Sequence, residues 1–189
     1  EQVNDVQSLY STNPACAAKK VKSFTLLVSR DALNIEGLSE ATLEKFLGRG
    51  YLHTFADLFH LEQYREEIVE MEGFGEKSYQ NLADSIEKSR KTTLPRVIYG
   101  LGIANIGLAN AKMICREYHD DLERMMQADV EELSLIDGIG EVIAGTFHDY
   151  WQSEKNRENM KKLLEELEIE QIEVDESALT LKGMVFVVT

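Results

Sequence analysis

The strongest constraint on this 189-residue chain is a short pattern that recurs four times in variant form. Its clearest copy is Ile136-Asp137-Gly138-Ile139-Gly140-Glu141-Val142-Ile143-Ala144. A hydrophobe is followed by Gly-hydrophobe-Gly, and a helix then opens with a small residue four places after the second Gly. The other copies centre on Gly37-Leu38-Ser39, Gly73-Phe74-Gly75 and Asn105-Ile106-Gly107. Ser39, Gly75, Gly107 and Gly140 correspond, at spacings of 36, 32 and 33 residues. A period in that range marks stacked supersecondary units. Paired glycines allow a tight turn with positive φ, and Asn is the next best residue for left-handed geometry. The helix that follows leaves its first N–H groups without internal partners. Bared backbone and a helix N-terminus together suit an anion such as phosphate.

The rest of the chain supplies helices for these turns to join. Residues 23–34 read as a short amphipathic helix, and Thr42 to Phe46 continue the helix that Ser39 caps. Residues 54–70 carry a helical period through Phe55, Leu58, Phe59, Leu61, Tyr64 and Ile68, with Thr54 or Asp57 as cap. The helix from Glu76 to about Ser89 puts Tyr79, Leu82, Ala83 and Ile86 on one face. Pro95 suits the first turn of a new helix. Helices are expected to reach about Tyr118, Ala128 and Trp151, and a last one starts at Ser153. Residues 1–22 read as irregular or β-rich, with Asn13-Pro14 as turn punctuation. Residues 168–178 read as an acidic linker or short strand, and Met184 to Thr189 as β-like. The fold class is mainly α: tandem repeats with four hairpins in two pseudo-two-fold pairs and short irregular or β segments at both ends. A hydrophobic share of 43% and only two prolines fit that class.

Charge and composition narrow the function. Net charge is −14, which speaks against nucleic acid until its distribution is read. Residues 1–30 carry +2, residues 31–112 carry −4, and residues 113–189 carry −12. A DNA face should therefore use the first two-thirds, or backbone N–H groups rather than side-chain charge. The run Lys88-Ser89-Arg90-Lys91-Thr92-Thr93-Leu94-Pro95-Arg96 is the most basic stretch, a candidate for phosphate contact or a solvated turn. No run of 18 apolar residues exists, so no membrane helix is expected. Glu1 to Asp5 lack the features of a signal peptide, and Cys16 and Cys115 make no disulfide framework; a cytoplasmic home follows. His53, His60, His119 and His148 do not cluster at metal spacing, and Tyr150 and Trp151 read as cover for the fourth repeat's core.

Hydrophobe-x-Gly-hydrophobe-Gly between two helices resembles the helix-hairpin-helix motif, which grips nucleic-acid backbone. Over nearly its whole length the chain is similar to the C-terminal half of bacterial NAD-dependent DNA ligases. Ser11-Thr12-Asn13-Pro14-Ala15-Cys16 resembles the second half of that family's four-cysteine zinc finger, and Ser29 to Leu38 the opening of its helix-hairpin-helix domain. Glu72 to Ser78 and Leu101 to Gly107 resemble its most recognisable strings, and Leu181 to Thr189 the first strand of its BRCT domain. Three features depart from the pattern. Ser11 stands where a zinc-ligand Cys is expected, the upstream cysteine pair is missing, and Cys16 is left an orphan. Tyr79 occupies the slot of Ala144. The family's Lys-x-Asp-Gly adenylation motif is absent.

The resemblance implies a division into a zinc-finger remnant (1–22), a helix-hairpin-helix DNA-binding domain (23–171), a linker (172–180) and the first strand of a truncated BRCT domain (181–189). It implies a parent enzyme that seals nicks in duplex DNA during replication and repair, using NAD, magnesium and zinc, while this segment is inactive alone and carries no cofactor and no catalytic residue. The implied partners are nicked double-stranded DNA, bound without sequence specificity, and the adenylation, OB-fold and BRCT domains of the same chain, in a monomer of the bacterial cytoplasm associated with the nucleoid. The DNA-contact candidates are Gly73, Phe74, Gly75, Lys77, Lys88, Arg90, Lys91, Asn105, Ile106, Gly107, Lys112, Gly138 and Gly140. Hairpins 2 and 3 are the better candidates, with Lys77, Lys112 and the basic run nearby. The fourth, flanked by Asp137 and Glu141, is read as a structural partner of the third. Alternatives are a helix-hairpin-helix module of another repair protein, a glycosylase, for which the Gly-Pro-rich loop is missing, and a helical protein-interaction scaffold suited to the acidic tail.

Overall fold

Glycine turns at this period require short helices, and short helices are what the computed structural model shows over residues 14–170, the residues it describes. The elements are α1 (Pro14–Leu27), α2 (Glu40–Gly48), a 3-10 segment (Phe55–Tyr64), α3 (Arg65–Glu70), α4 (Glu76–Ser89), β1 (Lys91–Thr92) and α5 (Leu94–Gly100). They continue with α6 (Leu108–Glu117), α7 (Leu122–Gln127), α8 (Val130–Ser134), α9 (Glu141–Tyr150), α10 (Glu154–Glu165) and β2 (Glu168–Ile169). Each hairpin joins two helices that pack on each other: α1 with α2, α3 with α4, α5 with α6, and α8 with α9.

The first two hairpins exchange contacts. Hairpin 1 rests on α4, where Leu82 Cδ1 lies 3.5 Å from the place a Gly37 Cβ would occupy and the Glu36 N–H donates to Ser85 Oγ at 2.7 Å. Hairpin 2 returns the contact through Phe74, whose ring lies 6.0 Å from that of Phe46 on α2. In the second half, Met113 of α6 presses on hairpin 4, its Sδ 2.7 Å from a Cβ placed on Gly138. One continuous core runs through both halves, from Phe24 and Phe46 through Ile98 and Ile114 to Phe147 and Leu163. Trp151 is 1% exposed and meets Phe147 and Tyr150 edge-on, so it covers the fourth repeat as expected.

The halves are tied by α10, which packs on the 3-10 segment, and by β2, which pairs in parallel with β1 (Lys91 beside Glu168, Thr92 beside Ile169). Glu166 anchors this closure. It takes His60 Nε2 at 2.7 Å and Arg90 Nη1 at 3.1 Å. Burial opposes its ionisation, but the bonds from His60 and Arg90 prevail and hold its carboxyl below the ordinary range.

Three expectations need correction. Residues 14–22 are helical, because Pro14 opens α1, where a missing N–H costs little, and alanines and lysines follow. The helix then stops at Leu27 rather than near residue 34, since Ser29 Oγ bonds the Leu26 carbonyl and Asn34 turns at a φ of 56°. Helix α1 therefore crosses the proposed boundary at residue 22. Residues 54–70 are not one α-helix. Ala56, Leu58, Phe59 and Leu61 are all buried, which would need every side of a regular α-helix to face the core. The 3-10 winding and a kink at His60 bring them inward together. Thr54 and Asp57 act jointly as the capping box at its start. The acidic stretch begins as a strand at Glu168–Ile169; the zinc-position residue Ser11, the side chain of Cys16 and the expected linker and final strand beyond residue 170 lie outside the described part.

Candidate nucleic-acid interface

The four hairpins share one backbone turn. Its first position is left-handed in every copy, with φ of 94° at Gly37, 88° at Gly73, 66° at Asn105 and 89° at Gly138. Asn110 Nδ2 braces the third copy by donating to the Asn105 carbonyl at 3.1 Å. The second position differs from the expectation of paired left-handed glycines. Ser39, Gly75, Gly107 and Gly140 are all extended, and each is the N-cap of the following helix. Any L-residue adopts that backbone, and Ser39 does so at a φ of −74°.

The second glycine is thus not required by the turn, and no internal packing requires it either. A Cβ added to Gly75, Gly107 or Gly140 meets nothing within 4 Å. Their bare faces look outward, and none of these caps offers a side chain to the amides of the first helical turn. Those N–H groups are available to an outside acceptor. Hairpin 1 has no such vacancy: Ser39 Oγ accepts from the Thr42 N–H at 3.2 Å, so the helix is capped by its own chain.

The candidate side chains divide into two groups. Lys77, Lys88, Lys91 and Lys112 are exposed. Phe74 is half-buried beside Phe46, and Ile106 is buried, so both anchor their hairpins and leave backbone, not side chain, to the outside. Arg90 is committed inward. It reaches the Glu166 carbonyl at 2.9 Å, pairs with Glu166 and Glu87 at 3.1 Å, and lies over the Phe59 ring at 4.9 Å. Burial acts to lower its pKa, but the two carboxylates outweigh burial and raise it. Lys88 and Lys91 open on a cleft of about 790 Å³ beside hairpin 1. Arg96, also on that cleft, donates to the Ala32 and Arg30 carbonyls at 2.9 and 2.6 Å, and Glu36, Asp84 and Glu170 balance the cations.

Local charge separates the hairpins further. Glu72 and Glu76 flank hairpin 2 as Asp137 and Glu141 flank hairpin 4, but Arg65 pairs with Glu76 at 2.6 Å. Hairpin 3 carries Ala104 and Leu108 at those places and no acid. The Arg65 contact has no signal in the sequence, because eleven residues and a hairpin separate the partners. The mixture of uncapped helix ends, outward glycines and exposed lysines can hold phosphates without reading bases.

Comparison with known proteins agrees with this geometry. Residues 29–88 match a family model described as a SAM-like helix-hairpin-helix tandem, and residues 96–160 match one described as a helix-hairpin-helix motif. The chain is 52% identical over all 189 residues to a DNA ligase of Lachnoclostridium phytofermentans and 47% identical to one of Ruminiclostridium cellulolyticum, covering 29% of each. It is 36% identical over 163 residues to a DNA ligase of Spiroplasma citri, covering 86% of this chain and 24% of that protein. The chain therefore spans less than a third of the curated relatives it matches.

Proposed function

We propose that the chain is a segment of a DNA ligase built of tandem helix-hairpin-helix repeats, the non-catalytic, duplex-gripping part of an NAD-dependent ligase that seals nicks. The observation that carries the proposal is the outward vacancy at Gly75, Gly107 and Gly140, where neither turn geometry nor packing demands glycine. A phosphate approaching there meets unpartnered N–H groups and the positive end of a helix dipole. Contacts of this kind fix register and orientation but carry no sequence information. Lys77 and Lys112 add charge beside hairpins 2 and 3, and Lys88 and Lys91 extend the track along the first half.

The nucleotidyl-transfer chemistry belongs to other parts of such a protein. No Lys-x-Asp-Gly string occurs here, and Lys77 and Lys112 sit on hairpin helices. Among the described residues no group of three or more His, Cys, Asp or Glu is placed to hold a metal ion. The described residues thus supply no donor set for zinc or magnesium. A zinc-finger-like segment at residues 1–22, a linker at 172–180, a BRCT-like strand at 181–189, the monomeric state and a bacterial cytoplasmic location with nucleoid association are parts of the same proposal. No helix among the described residues is long and apolar enough to cross a membrane.

Titration of the chain with a nicked duplex tests the reading. Binding is expected at about 20 mM salt and should fall steeply by about 200 mM. Amide shifts should appear first at Gly73 to Lys77 and Ile106 to Lys112. Failure to bind at low salt would remove the proposed function from this segment.

A further inference from the structure

We propose that the strap leading out of α10, residues 166–170, is an autoinhibitory cover on the basic run, displaced when that run takes up duplex phosphate. The inference rests on the DNA-holding function proposed above. Residues 88–96 hold four cations and no acid, and residues 166–170 hold three acids and no cation. The fold lays one segment against the other across 76 residues of chain.

Each acid of the strap meets a different part of the run. Glu166, the C-cap of α10, bonds Arg90 Nη1 at 3.1 Å. Glu168 stands beside Lys91 in the parallel ladder, and both are exposed, while Thr92 and Ile169 beside them turn to the inner face. Glu170 lines the cleft of about 790 Å³ that Lys88, Lys91 and Arg96 also line. Glu36 and Asp84 share that cleft but stand on hairpin 1 and α4; Glu170 is the acid that the strap brings to it. The alternation Glu-Leu-Glu-Ile-Glu suits this arrangement, since a strand sends every second side chain to one face. The run alone carries four positive charges, and with the strap in place a net of one remains.

Past Glu166 the strap is held lightly. Its ladder is two residues long, with the Glu168 and Glu170 N–H groups donating to the Arg90 and Thr92 carbonyls at 2.6 and 2.7 Å. Leu167 and Ile169 are half-buried, whereas Met160 and Leu163 fix the preceding helix in the core. So short a pair has little stability of its own, and segments with few buried contacts open at low free energy. Closure also carries a cost, because Thr92 Oγ1 is buried beneath the ladder with no protein partner. Duplex phosphates seek the same cations. The strap and the DNA backbone are therefore rivals for Lys88 and Lys91.

The test is a double-mutant cycle on the nicked-duplex affinity of the 189-residue chain. Glu168→Gln with Glu170→Gln keeps the backbone ladder and removes the charge of the cover. It is expected to tighten binding about fivefold to tenfold at about 50 mM salt. The same change made on top of Lys88→Ala with Lys91→Ala should gain less than about twofold, because the covered cations are gone. Glu154→Gln with Glu158→Gln makes an equal charge change on the exposed first turns of α10 and should also gain less than about twofold. Equal gains in all three settings would reduce the effect to net charge and overturn the inference, as would no gain in the first. Amide exchange gives a second measurement. The Glu168 and Glu170 N–H groups should exchange faster in the duplex complex than in the free chain, while those of Met160 and Leu163 hold steady. Unchanged or slower exchange at the strap would show that DNA binds without moving it, and the cover would be refuted. These failures, in a chain that binds DNA, remove the inference alone. A wild-type chain that does not bind nicked duplex at about 20 mM salt removes the wider function and the inference with it. Glu168 and Glu170 are exposed, so a thermal melt matching wild type is expected for their variant.

Discussion

Hairpin 1 and hairpin 3 turn on residues in similar backbone states, Gly37 at a φ of 94° and Asn105 at 66°, and lead into helix ends of opposite kinds. Hairpin 1 is closed. Ser39 caps its helix, Ser85 takes the Glu36 N–H, and Leu82 packs under Gly37. Hairpin 3 is open, with Gly107 uncapped, no acid at Ala104 or Leu108, and Lys112 one turn along the helix. On the function proposed above, the same supersecondary unit serves as scaffold when its helix end is satisfied from within, and as a site when that end is left vacant. What decides between them is one hydroxymethyl group at the N-cap and the identity of two flanking residues.

The largest expected effect tests the closed hairpin. Gly37→Ala forces a Cβ into left-handed backbone and should cost about 1–3 kcal/mol in urea unfolding. Asn105→Gly in the open hairpin should stay within about 1 kcal/mol, since it relaxes the same turn. Comparable losses at both would erase the distinction. Exchanging the caps comes next. Gly107→Ser should close hairpin 3, lowering nicked-duplex affinity about tenfold while leaving stability equal or slightly higher. Ser39→Gly should cost only a few tenths of a kcal/mol, and added DNA affinity would show that capping alone had silenced hairpin 1.

Within the basic run the same contrast between inward and outward groups can be sharpened. Arg90→Ala should destabilise the fold by about 1–3 kcal/mol, because it strips a half-buried carboxylate of its partner. Lys88→Ala with Lys91→Ala should leave the melting curve unchanged and reduce the salt slope of DNA binding by about two if both reach phosphate. The smallest effect concerns pH. Glu166 is held below its ordinary pKa of 4.5 in the folded chain, so it contributes stability that is fully present above that value. The contribution is lost as pH falls through the lower, folded value. Glu166→Gln should therefore flatten the acid limb of stability against pH, and an unchanged limb would show that His60 and Arg90 do not depend on its charge.

Much of this was legible in the residues themselves. The hairpin period, the left-handed role of Asn105, the span of α4 and the caps at Ser39 and Ser153 follow from local chemistry that acts within a few residues. The break in residues 54–70 was not legible, because its apolar residues satisfy a helical period as well as they satisfy two shorter pieces. Arg90 was hidden for a related reason. A cation in a basic run reads as free until the end of α10, 76 residues later, places Glu166 against it. The exposure of Leu135 and Val142 beside hairpin 4 was equally silent, since an aliphatic residue in a helical repeat is expected to face the core.

The sequence by itself determined the number of hairpins, their order, and that each holds a residue suited to a left-handed turn. Those depend on steric limits of single residues and on hydrogen bonds closed within one helical turn. The tertiary structure decided what surrounds the hairpins. It left Gly107 and Gly140 facing outward, tied Glu76 to Arg65, turned Arg90 to Glu166 and left two aliphatics uncovered at hairpin 4. These outcomes depend on which surfaces meet, and pairings between groups far apart in the chain leave no periodic trace in its order of residues.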